Sequence, residues 1–397
     1  MEGWKEGTIS SVATIGNGCD YKHLKGGDVP VYGTGGYMTS VNDFLYDGET
    51  VCIGRKGTID APLFHSGKIW TVDTLFYTHS FNNILPKYLF YIFQTINWKK
   101  YNEATGVPSL SKRTIEQIEI SFPESEDEQR KITSILSTIG QSIEQTEQLI
   151  TKYKNIKKGL MHDLLTYGID ENGNIRNPQT HVFVEKMGVL VPEEWEVKRI
   201  DEIANVTGGK RLPAGHEYSA INTGFRYLRV TDFYNKTVDY SSLENIEERT
   251  FNELERYEIL PNELFISIAG SIGYIGVNKP DISDRIILTE NALKISVYEK
   301  IIPDFLSMQM NSTVVQKQIW SEIGTGGGVP KLAKHRVESL HIPYPKWNSK
   351  YDEQRKIVSI LEHQDKLIDS EQTNLNKLQM LKQGLMQDLL TGKVRVP

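Results

Sequence analysis

The feature that most constrains this chain is a stretch that occurs twice. Asp127-Glu128-Gln129-Arg130-Lys131-Ile132-Thr133-Ser134-Ile135-Leu136 returns as Asp352-Glu353-Gln354-Arg355-Lys356-Ile357-Val358-Ser359-Ile360-Leu361. Downstream, Gly159-Leu160-Met161-His162-Asp163-Leu164-Leu165-Thr166 returns as Gly384-Leu385-Met386-Gln387-Asp388-Leu389-Leu390-Thr391. Both pairs are 225 positions apart, so no insertion or deletion separates the copies across that span. A fixed length held between variable surroundings predicts a helical spacer whose length matters. Within it Ile132, Leu136, Ile139, Ile143, Thr146, Ile150, Tyr153, Lys157, Leu160 and Leu164 alternate by four and three, a heptad seam with two polar interruptions. The second copy reads Ile357, Leu361, Gln364, Ile368, Glu371, Leu375, Leu378, Lys382, Leu385 and Leu389. The interruptions Thr146/Glu371 and Lys157/Lys382 recur at equivalent positions. Neither helix can bury such a stripe alone, so the two should pack on each other, antiparallel if a pseudo-two-fold axis relates the halves. A continuous helix from 126 to 166 would be roughly 60 Å long. Gly159 and Gly384, each costing about 1 kcal/mol relative to Ala in a helix, should mark a kink or a separate final turn.

The repeat reaches beyond these helices. Trp4 to Gly18 resembles Trp195 to Gly209, with Ile9/Ile200, Val12/Ile203 and Ile15/Val206 matched, and the spacing of three predicts one or two helical turns. Cys19 to Asp47 then faces Lys210 to Pro261, where identities largely vanish and the second copy is longer. Apolar runs Thr50–Ile53 and Leu264–Ile268 predict buried strands followed by glycine turns. Leu85-Pro86 and Ile302-Pro303 open helices, with Pro in the first turn where its missing N–H costs little. Each half next has a Gly–Pro loop, Thr105–Lys112 and Gly326–Lys334, and an alternating strand, Ile118–Pro123 and Leu340–Pro345. The chain ends on Val396-Pro397 and begins Glu2-Gly3-Trp4, whereas mid-chain the same boundary is joined as Val191-Pro192-Glu193-Glu194-Trp195. The repeat is therefore cyclic, which predicts that residues 1–4 and 394–397 meet in space.

A chain of 397 residues is long enough for about two to four domains with cores of their own. No apolar run approaches the roughly 20 residues of a membrane span, and the N-terminus lacks a signal-peptide pattern. Cys19 and Cys52 alone support neither a disulfide framework nor a cysteine zinc site. A cytoplasmic location is expected. The net charge of −6 argues against a DNA binder that relies on its overall field, while leaving room for local basic patches or for partners that supply phosphate contacts.

The motifs of catalysis are missing. Gly324–Lys331 has neither the spacing nor the Ser/Thr of a phosphate loop, and Gly33-Thr34-Gly35-Gly36 and Gly208-Gly209 read as turns. His216-Glu217 lacks the second His of a zinc site, and Asn177-Pro178-Gln179-Thr180 lacks the second Pro and the aromatic of an amino-methyltransferase motif. No carboxylate pair stands out from the solvated background. The chain reads as a recogniser without catalysis of its own.

The doubled helix start and helix end, the Pro-Glu-Glu-Trp stretch at 192–195, the strand–Gly-turn in each half and the terminal Leu389-Leu390-Thr391-Gly392-Lys393-Val394 resemble the specificity subunit of a type I restriction–modification system. The resemblance covers essentially the whole chain. It implies an α+β protein with two globular target-recognition domains separated by two long antiparallel helices, a coiled-coil spacer with cyclic pseudo-two-fold repetition. The expected boundaries are 1–123 for the first recognition domain, 124–180 for the first spacer, 181–345 for the second domain and 346–397 for the second spacer. Each domain would read one half of a bipartite double-stranded DNA site. Two modification subunits would bring S-adenosylmethionine and adenine N6 methylation, and restriction subunits, where present, ATP, Mg and cleavage, so no cofactor is expected on this chain. The alternative from another class is a coiled-coil scaffold that joins proteins without reading DNA.

Bases are read by Arg, Lys, Asn, Gln and small polar residues, while phosphate contacts set position. The portions that differ between halves should read, because two copies reading different half-sites must differ there. The candidates are Lys22, His23, Lys25, Tyr32, Thr34, Tyr37, Arg55 and Lys56 in the first half, and Lys210, Arg211, Arg226, Arg229, Thr231, Asn235 and Lys236 in the second. For each of them a solvated charge or turn residue is the bland reading, and for Tyr32 and Tyr37 it is packing. Lys112 and Lys334 occur in both loops and so suit phosphate contact or shared structure. Glu128, Arg130, Glu353 and Arg355 are the expected docking positions for the methylating subunits. Half-sites read from one face of the duplex should lie roughly 34 Å apart.

Overall fold

The computed structural model describes residues 3–234, 237–279, 283–298, 300–321, 323, 330–346 and 352–396. It divides into two compact units: residues 1–150 with 370–397, and residues 151–369. Each unit therefore takes a globular part together with a piece of both long helices.

The first unit opens with β1 (Trp4–Thr8), the single turn α1 (Ile9–Val12) and β2 (Thr14–Asn17). The hairpin β3 (Gly26–Gly33) and β4 (Gly36–Val41) follows, then β5 (Tyr46–Gly54), β6 (Leu63–Thr71) and β7 (Leu75–His79). After these come α2 (Pro86–Thr95), α3 (Lys112–Glu116), β8 (Glu119–Pro123) and the long α4 (Glu126–Thr166). A six-stranded sheet has the order β2-β7-β5-β6-β3-β4, and β1 pairs antiparallel with β8, Trp4 opposite Pro123. Val51, Ile53 and Phe76 on one sheet face pack with Tyr88, Leu89 and Phe93 of α2.

The second unit contains the hairpin β9 (Phe183–Lys186) and β10 (Val189–Pro192), then β11 (Trp195–Arg199), α5 (Ile200–Ile203) and β12 (Ala204–Gly208). Next are β13 (Tyr218–Ser219), β14 (Phe225–Leu228), β15 (Phe233–Tyr234), β16 (Thr237–Val238), β17 (Glu244–Ile246) and α6 (Glu248–Leu254). The chain continues through β18 (Leu264–Ser267), β19 (Ile275–Val277), β20 (Arg285–Leu288) and β21 (Ala292–Val297). It closes with α7 (Pro303–Met310), α8 (Thr313–Ser321), α9 (Lys334–Glu338), β22 (His341–Pro345) and α10 (Glu353–Leu390).

The two units share a scaffold. The order β12-β21-β18-β19 repeats β2-β7-β5-β6, and β11 pairs with β22, Trp195 opposite Pro345, in the register of β1 with β8. Between the shared strands the units diverge. The first extends its sheet with the β3–β4 hairpin, whereas the second builds a separate sheet of order β13-β17-β14-β20. The matched segments end at Gly18 and Gly209, and a Cβ there would lie 1.9 Å from Val72 O and 2.0 Å from Thr289 O. Only glycine permits such an approach of two backbones, so the branch point from shared scaffold to unlike insert is itself repeated.

Half of the twenty expected seam positions are buried, Ile132, Leu136, Ile139, Thr146, Ile150 and Leu164 in one helix and Ile357, Leu361, Leu375 and Leu389 in the other, and the remaining ten are half-buried. Within the first unit Ile132 and Leu136 share a core with Leu389 and Leu390; within the second, Leu164 and Leu165 share one with Ile357 and Leu361. The start of each helix meets the end of the other, which is the antiparallel arrangement. One expectation changes and another narrows. Gly159 and Gly384 do not start a separate final turn: α4 runs unbroken to Thr166 and α10 to Leu390. Ile15 belongs to a strand, so the three-spaced apolar residues give one helical turn and not two.

The doubled Glu-Gln pair explains how each helix start is held. Gln129 donates Nε2 to the carbonyls of Asn83 and Pro123, both at 2.9 Å, and its Oε1 accepts Leu85 N at 2.8 Å. Gln354 repeats this with Lys300 O, Pro345 O and Ile302 N. One amide thus joins the long helix, the edge strand and the first turn of α2 or α7. Glu353 accepts both nitrogens of Arg176 at 2.6 and 3.0 Å, with Ile169 N and Trp195 Nε1 on the same carboxylate. Glu128 accepts Arg395 at 2.7 and 2.8 Å and Val396 N at 3.4 Å. A Cβ on Gly3 would lie 3.2 Å from Arg395 Nη2, so residues 3 and 395 adjoin as the cyclic repeat requires, while Met1, Glu2 and Pro397 lie outside the described residues.

Glu128 and Glu353 were expected on a docking surface, yet only 3% and 5% of their side chains is exposed. Each is consumed by its arginine and closed to a partner. Arg130 and Arg355 do remain outside, paired with Glu126 and Asp352 of their own helix starts. No helix among the described residues is long and apolar enough to cross a membrane.

Arg395 holds the Glu128 carboxyl below its ordinary range, chiefly through their hydrogen bonds. A depressed carboxyl stabilises the fold above its unfolded pKa of about 4.3, and that contribution is lost as pH falls through the lower folded value. Urea unfolding should therefore show Arg395→Ala losing about 1–3 kcal/mol at pH 7, with the gap to the parent closing in acid. Arg176→Ala, whose pair is buried on both sides, should lose about 3–5 kcal/mol. Equal, pH-independent losses would contradict the closure role.

Candidate nucleic-acid interface

In the first unit three loops converge. The Arg55-Lys56-Gly57-Thr58 turn follows β5, and Gly57 N donates to Pro108 O at 2.8 Å while Leu110 N donates to Arg55 O at 2.9 Å. These bonds lash the turn to the Gly–Pro loop. Thr34, at the tip of the β3–β4 hairpin, comes beside it: a Cβ on Gly57 would lie 3.2 Å from Thr34 Oγ1. Lys112 stands in the first turn of α3, whose N-cap Ser111 accepts Thr114 N at 3.1 Å. Asn17, Arg55, Lys56, Val107, Ser109 and Lys112 line a concave surface of about 860 Å³.

The concavity is cationic. Arg55 and Lys56 are exposed and, among the described residues, form no ion pair. The Arg55 guanidinium is oriented by Asp73 O at 3.3 Å and sits 6.0 Å above the Phe76 ring. Lys112 reaches Glu116 at 3.7 Å, a loose contact that leaves it able to meet a phosphate. A concave wall with three cations concentrates positive potential where a nucleic-acid backbone could lie.

The other first-half candidates are elsewhere. Lys25 N bonds Asn42 Oδ1 at 3.1 Å, at the opposite end of the hairpin from Thr34. Lys22 is an exposed turn residue, and His23 meets the Trp70 ring edge-on at 5.8 Å. Tyr32 is half-buried between Tyr37 and His65, so its ring is packing. Tyr37 is exposed, with its hydroxyl on Ser40. Asn17 and Val107 were not singled out from sequence: Asn17 lies in the matched segment, and Val107 is an apolar residue in a loop.

In the second unit the expected readers separate into two groups. Arg226 is tied to Asp284 at 2.7 Å and to Leu243 O. Arg229 is caged, with Asp232 bound at 3.0 and 2.7 Å, Glu244 at 2.6 Å, Ser242 O at 3.1 Å and the Tyr218 ring alongside. Hydrogen bonds to Asp232 raise its pKa further, so the charge is permanent but internally neutralised. In this arrangement both guanidiniums are engaged by carboxylates of their own unit, Arg229 keeping 31% of its side chain exposed and Arg226 18%. Lys210 and Thr231 are exposed, and Arg211 keeps 78% of its side chain exposed while touching Glu290 at 2.8 Å. Asn235, Lys236 and the glycines of the second Gly–Pro loop lie outside the described residues. Lys334 begins α9 as Lys112 begins α3, and it pairs with Glu338 as Lys112 pairs with Glu116.

The family model for the type I restriction modification DNA specificity domain matches residues 1–155 and again 192–380. The specificity subunit of the type I restriction enzyme MjaVIII from Methanocaldococcus jannaschii is 25% identical over 373 residues, 90% of this chain and 80% of the relative. That of EcoBI from Escherichia coli is 22% identical over 424 residues, 99% of this chain and 86% of the relative. The crystal structure of a type I restriction–modification S subunit from M. genitalium has the same fold, with a TM-score of 0.64 at 16% identity, covering 98% of this chain and 96% of that one.

Two substitutions separate the roles. Arg229→Ala leaves the buried Asp232 unpaired and should cost about 2–4 kcal/mol in urea unfolding, without relaxing preference at a single base. Lys112→Ala should weaken DNA binding across sequences and reduce the slope of log affinity against log salt by about one. A relaxed base preference in the first variant, or an unchanged slope in the second, would reverse the assignments.

Proposed function

The chain belongs to the type I restriction modification DNA specificity family, and from that membership we propose that its two units read the two halves of one bipartite DNA sequence. The observation that carries this reading is the repeated four-stranded scaffold with unlike inserts at the same branch point. Equal scaffolds place the inserts equivalently, and unequal inserts can read unequal sequences. The first unit would present Thr34, Arg55, Lys56 and Lys112 to DNA. The second would present Lys210, Arg211, Thr231 and Lys334. Phosphate contacts from Lys112 and Lys334 would be common to both, with base contacts supplied by the inserts.

In this reading the chain performs no chemistry. Methylation belongs to two modification subunits carrying S-adenosylmethionine, and cleavage, where restriction subunits join, to ATP- and Mg-dependent partners. The helices α4 and α10 set the distance between half-sites and leave the intervening base pairs unread. The fixed 225-residue displacement between their copies supports that role.

Mapping N6-methyladenine in DNA modified by the assembled complex tests both parts. One bipartite sequence with a constant gap is expected. A heptad inserted into both α4 and α10 adds about 10 Å of helix, so the gap should grow by about three base pairs with both half-sites unchanged. A continuous short target would sink the two-unit reading, and an unmoved gap would sink the ruler.

A further inference from the structure

The β3–β4 hairpin of the first unit carries an irregularity that the repeated scaffold does not require. Val31 pairs with Thr39 but Tyr32 with Tyr37, so the ladder slips by one and Met38 is an extra residue on β4. A bulge either ends a ladder or re-aims a side chain. Here the ladder continues to Gly33 and Gly36, so re-aiming is what the bulge accomplishes. Met38 lies over Gly33, where a Cβ would stand 2.9 Å from Met38 Sδ, on the edge strand of the six-stranded sheet. Met38 and its neighbour Tyr37 are each more than half exposed, as is Val107 in the Gly–Pro loop. Val107 lines the concavity that carries Arg55, Lys56 and Lys112, and the hairpin tip at Thr34 stands beside the turn of that same concavity.

What the hairpin lacks limits what it can read. From Gly33 to Val41 the sequence is Gly-Thr-Gly-Gly-Tyr-Met-Thr-Ser-Val, without a carboxamide, guanidinium, ammonium or carboxylate. Those are the groups that single out guanine, adenine or cytosine by hydrogen bonds in the major groove. Hydroxyls remain, but those of Tyr37 and Ser40 are bonded to each other at 3.0 Å, and a hydroxyl can donate or accept and so suits either kind of base edge. The base feature that an apolar side chain distinguishes in that groove is the C5-methyl group of thymine. A two-stranded ribbon fits the major groove, and the cations beside it suit the phosphates.

We propose that the first unit reads thymine, with Met38, flanked by Tyr37 and Val107, as the apolar contact for C5-methyl groups in its half-site. This rests on the bipartite DNA reading and deepens it. Methylation on adenine places at least one A·T pair, and so one thymine, in each half-site. Arg55 and Lys56 stay available for guanine or phosphate.

The test titrates the complex of the full-length chain and its modification subunits with duplexes carrying the mapped target. Deoxyuridine replaces the thymines of one half-site or of the other; it pairs as thymine does and lacks only the C5-methyl group. In the half-site of the first unit binding should weaken about fourfold for each methyl contacted, the worth of one buried CH2-sized group. Met38→Ala should abolish that loss there, leave the response of the other half-site unchanged and keep the parental salt slope, because no phosphate contact is removed. Met38→Leu, which returns apolar bulk, should restore the loss, and Val107→Ala should reduce it. All three side chains are exposed, so folding should survive, and far-ultraviolet circular dichroism checks it. Parent binding that ignores deoxyuridine in both half-sites, or a loss that Met38→Ala and Val107→Ala both leave intact, would overturn the thymine contact and leave the bipartite reading standing. A parent complex that binds its mapped target no tighter than unrelated duplex would overturn the bipartite reading and the contact with it.

Discussion

The rest of the structure depends on a buried carboxylate at the start of each long helix. A buried carboxylate without a partner costs several kcal/mol, so Glu128 and Glu353 each require a guanidinium from outside their own helix. Arg395 follows α10 and Arg176 follows α4. Each can reach its glutamate only if the end of one helix returns to the start of the other. The antiparallel arrangement, the cyclic order and the meeting of Gly3 with Arg395 are thus consequences of one electrostatic demand made twice. The adjacent glutamine completes the clamp, since both its donor hydrogens and its acceptor are satisfied by three backbone groups on two chain segments, 83–85 and 123.

This arrangement separates what must stay constant from what must vary. The paired strands β1–β8 and β11–β22, the four-strand order and the clamp are common to both units. The main inserts leave the scaffold at Gly18 and Gly209, where the backbone contact excludes any side chain, and in the second unit β20, between β19 and β21, joins the same divergent sheet. The first insert lengthens an existing sheet; the second supplies its own small core of Tyr227, Ile246, Phe251, Leu254 and Ile287. A recognition element with its own core can change without disturbing the helices, which is what a subunit reading two unrelated half-sites needs.

Much of this was legible in the sequence because periodicity and repetition report on backbone and burial. The seam, the strands at 118–123 and 340–345 and the proline-led helices all follow from patterns of that kind. Burial of Glu128 was also readable: it stands four residues before Ile132, on the line of the seam, as Glu353 does before Ile357. What sequence did not carry was pairing. Asp232 sits three residues from Arg229 and hints at a local bond, but Glu244 and Ser242 reach it through the fold. Likewise nothing local distinguishes Lys157, neutralised by Asp365, from Lys382, which has Gly140 at the corresponding place. Charge type is written in the sequence; whether a charge is already answered is decided by tertiary contacts.

The same distinction resolves the acidic net charge. A total of −6 is a sum over the whole chain, but at physiological ionic strength a charge is felt over a Debye length of about 8 Å. Many of the arginines that a composition counts as positive are internally matched: Arg176 by Glu353, Arg226 by Asp284, Arg229 by Asp232 and Glu244, Arg285 by Glu255 and Glu258. The carboxylates in those pairs are matched by the same contacts and contribute little field at a distance. What a phosphate approaching the first unit meets is the local set of Arg55, Lys56 and Lys112, held on one concave wall by backbone bonds. The net charge therefore bears on solubility and long-range steering, and the disposition of three side chains bears on binding.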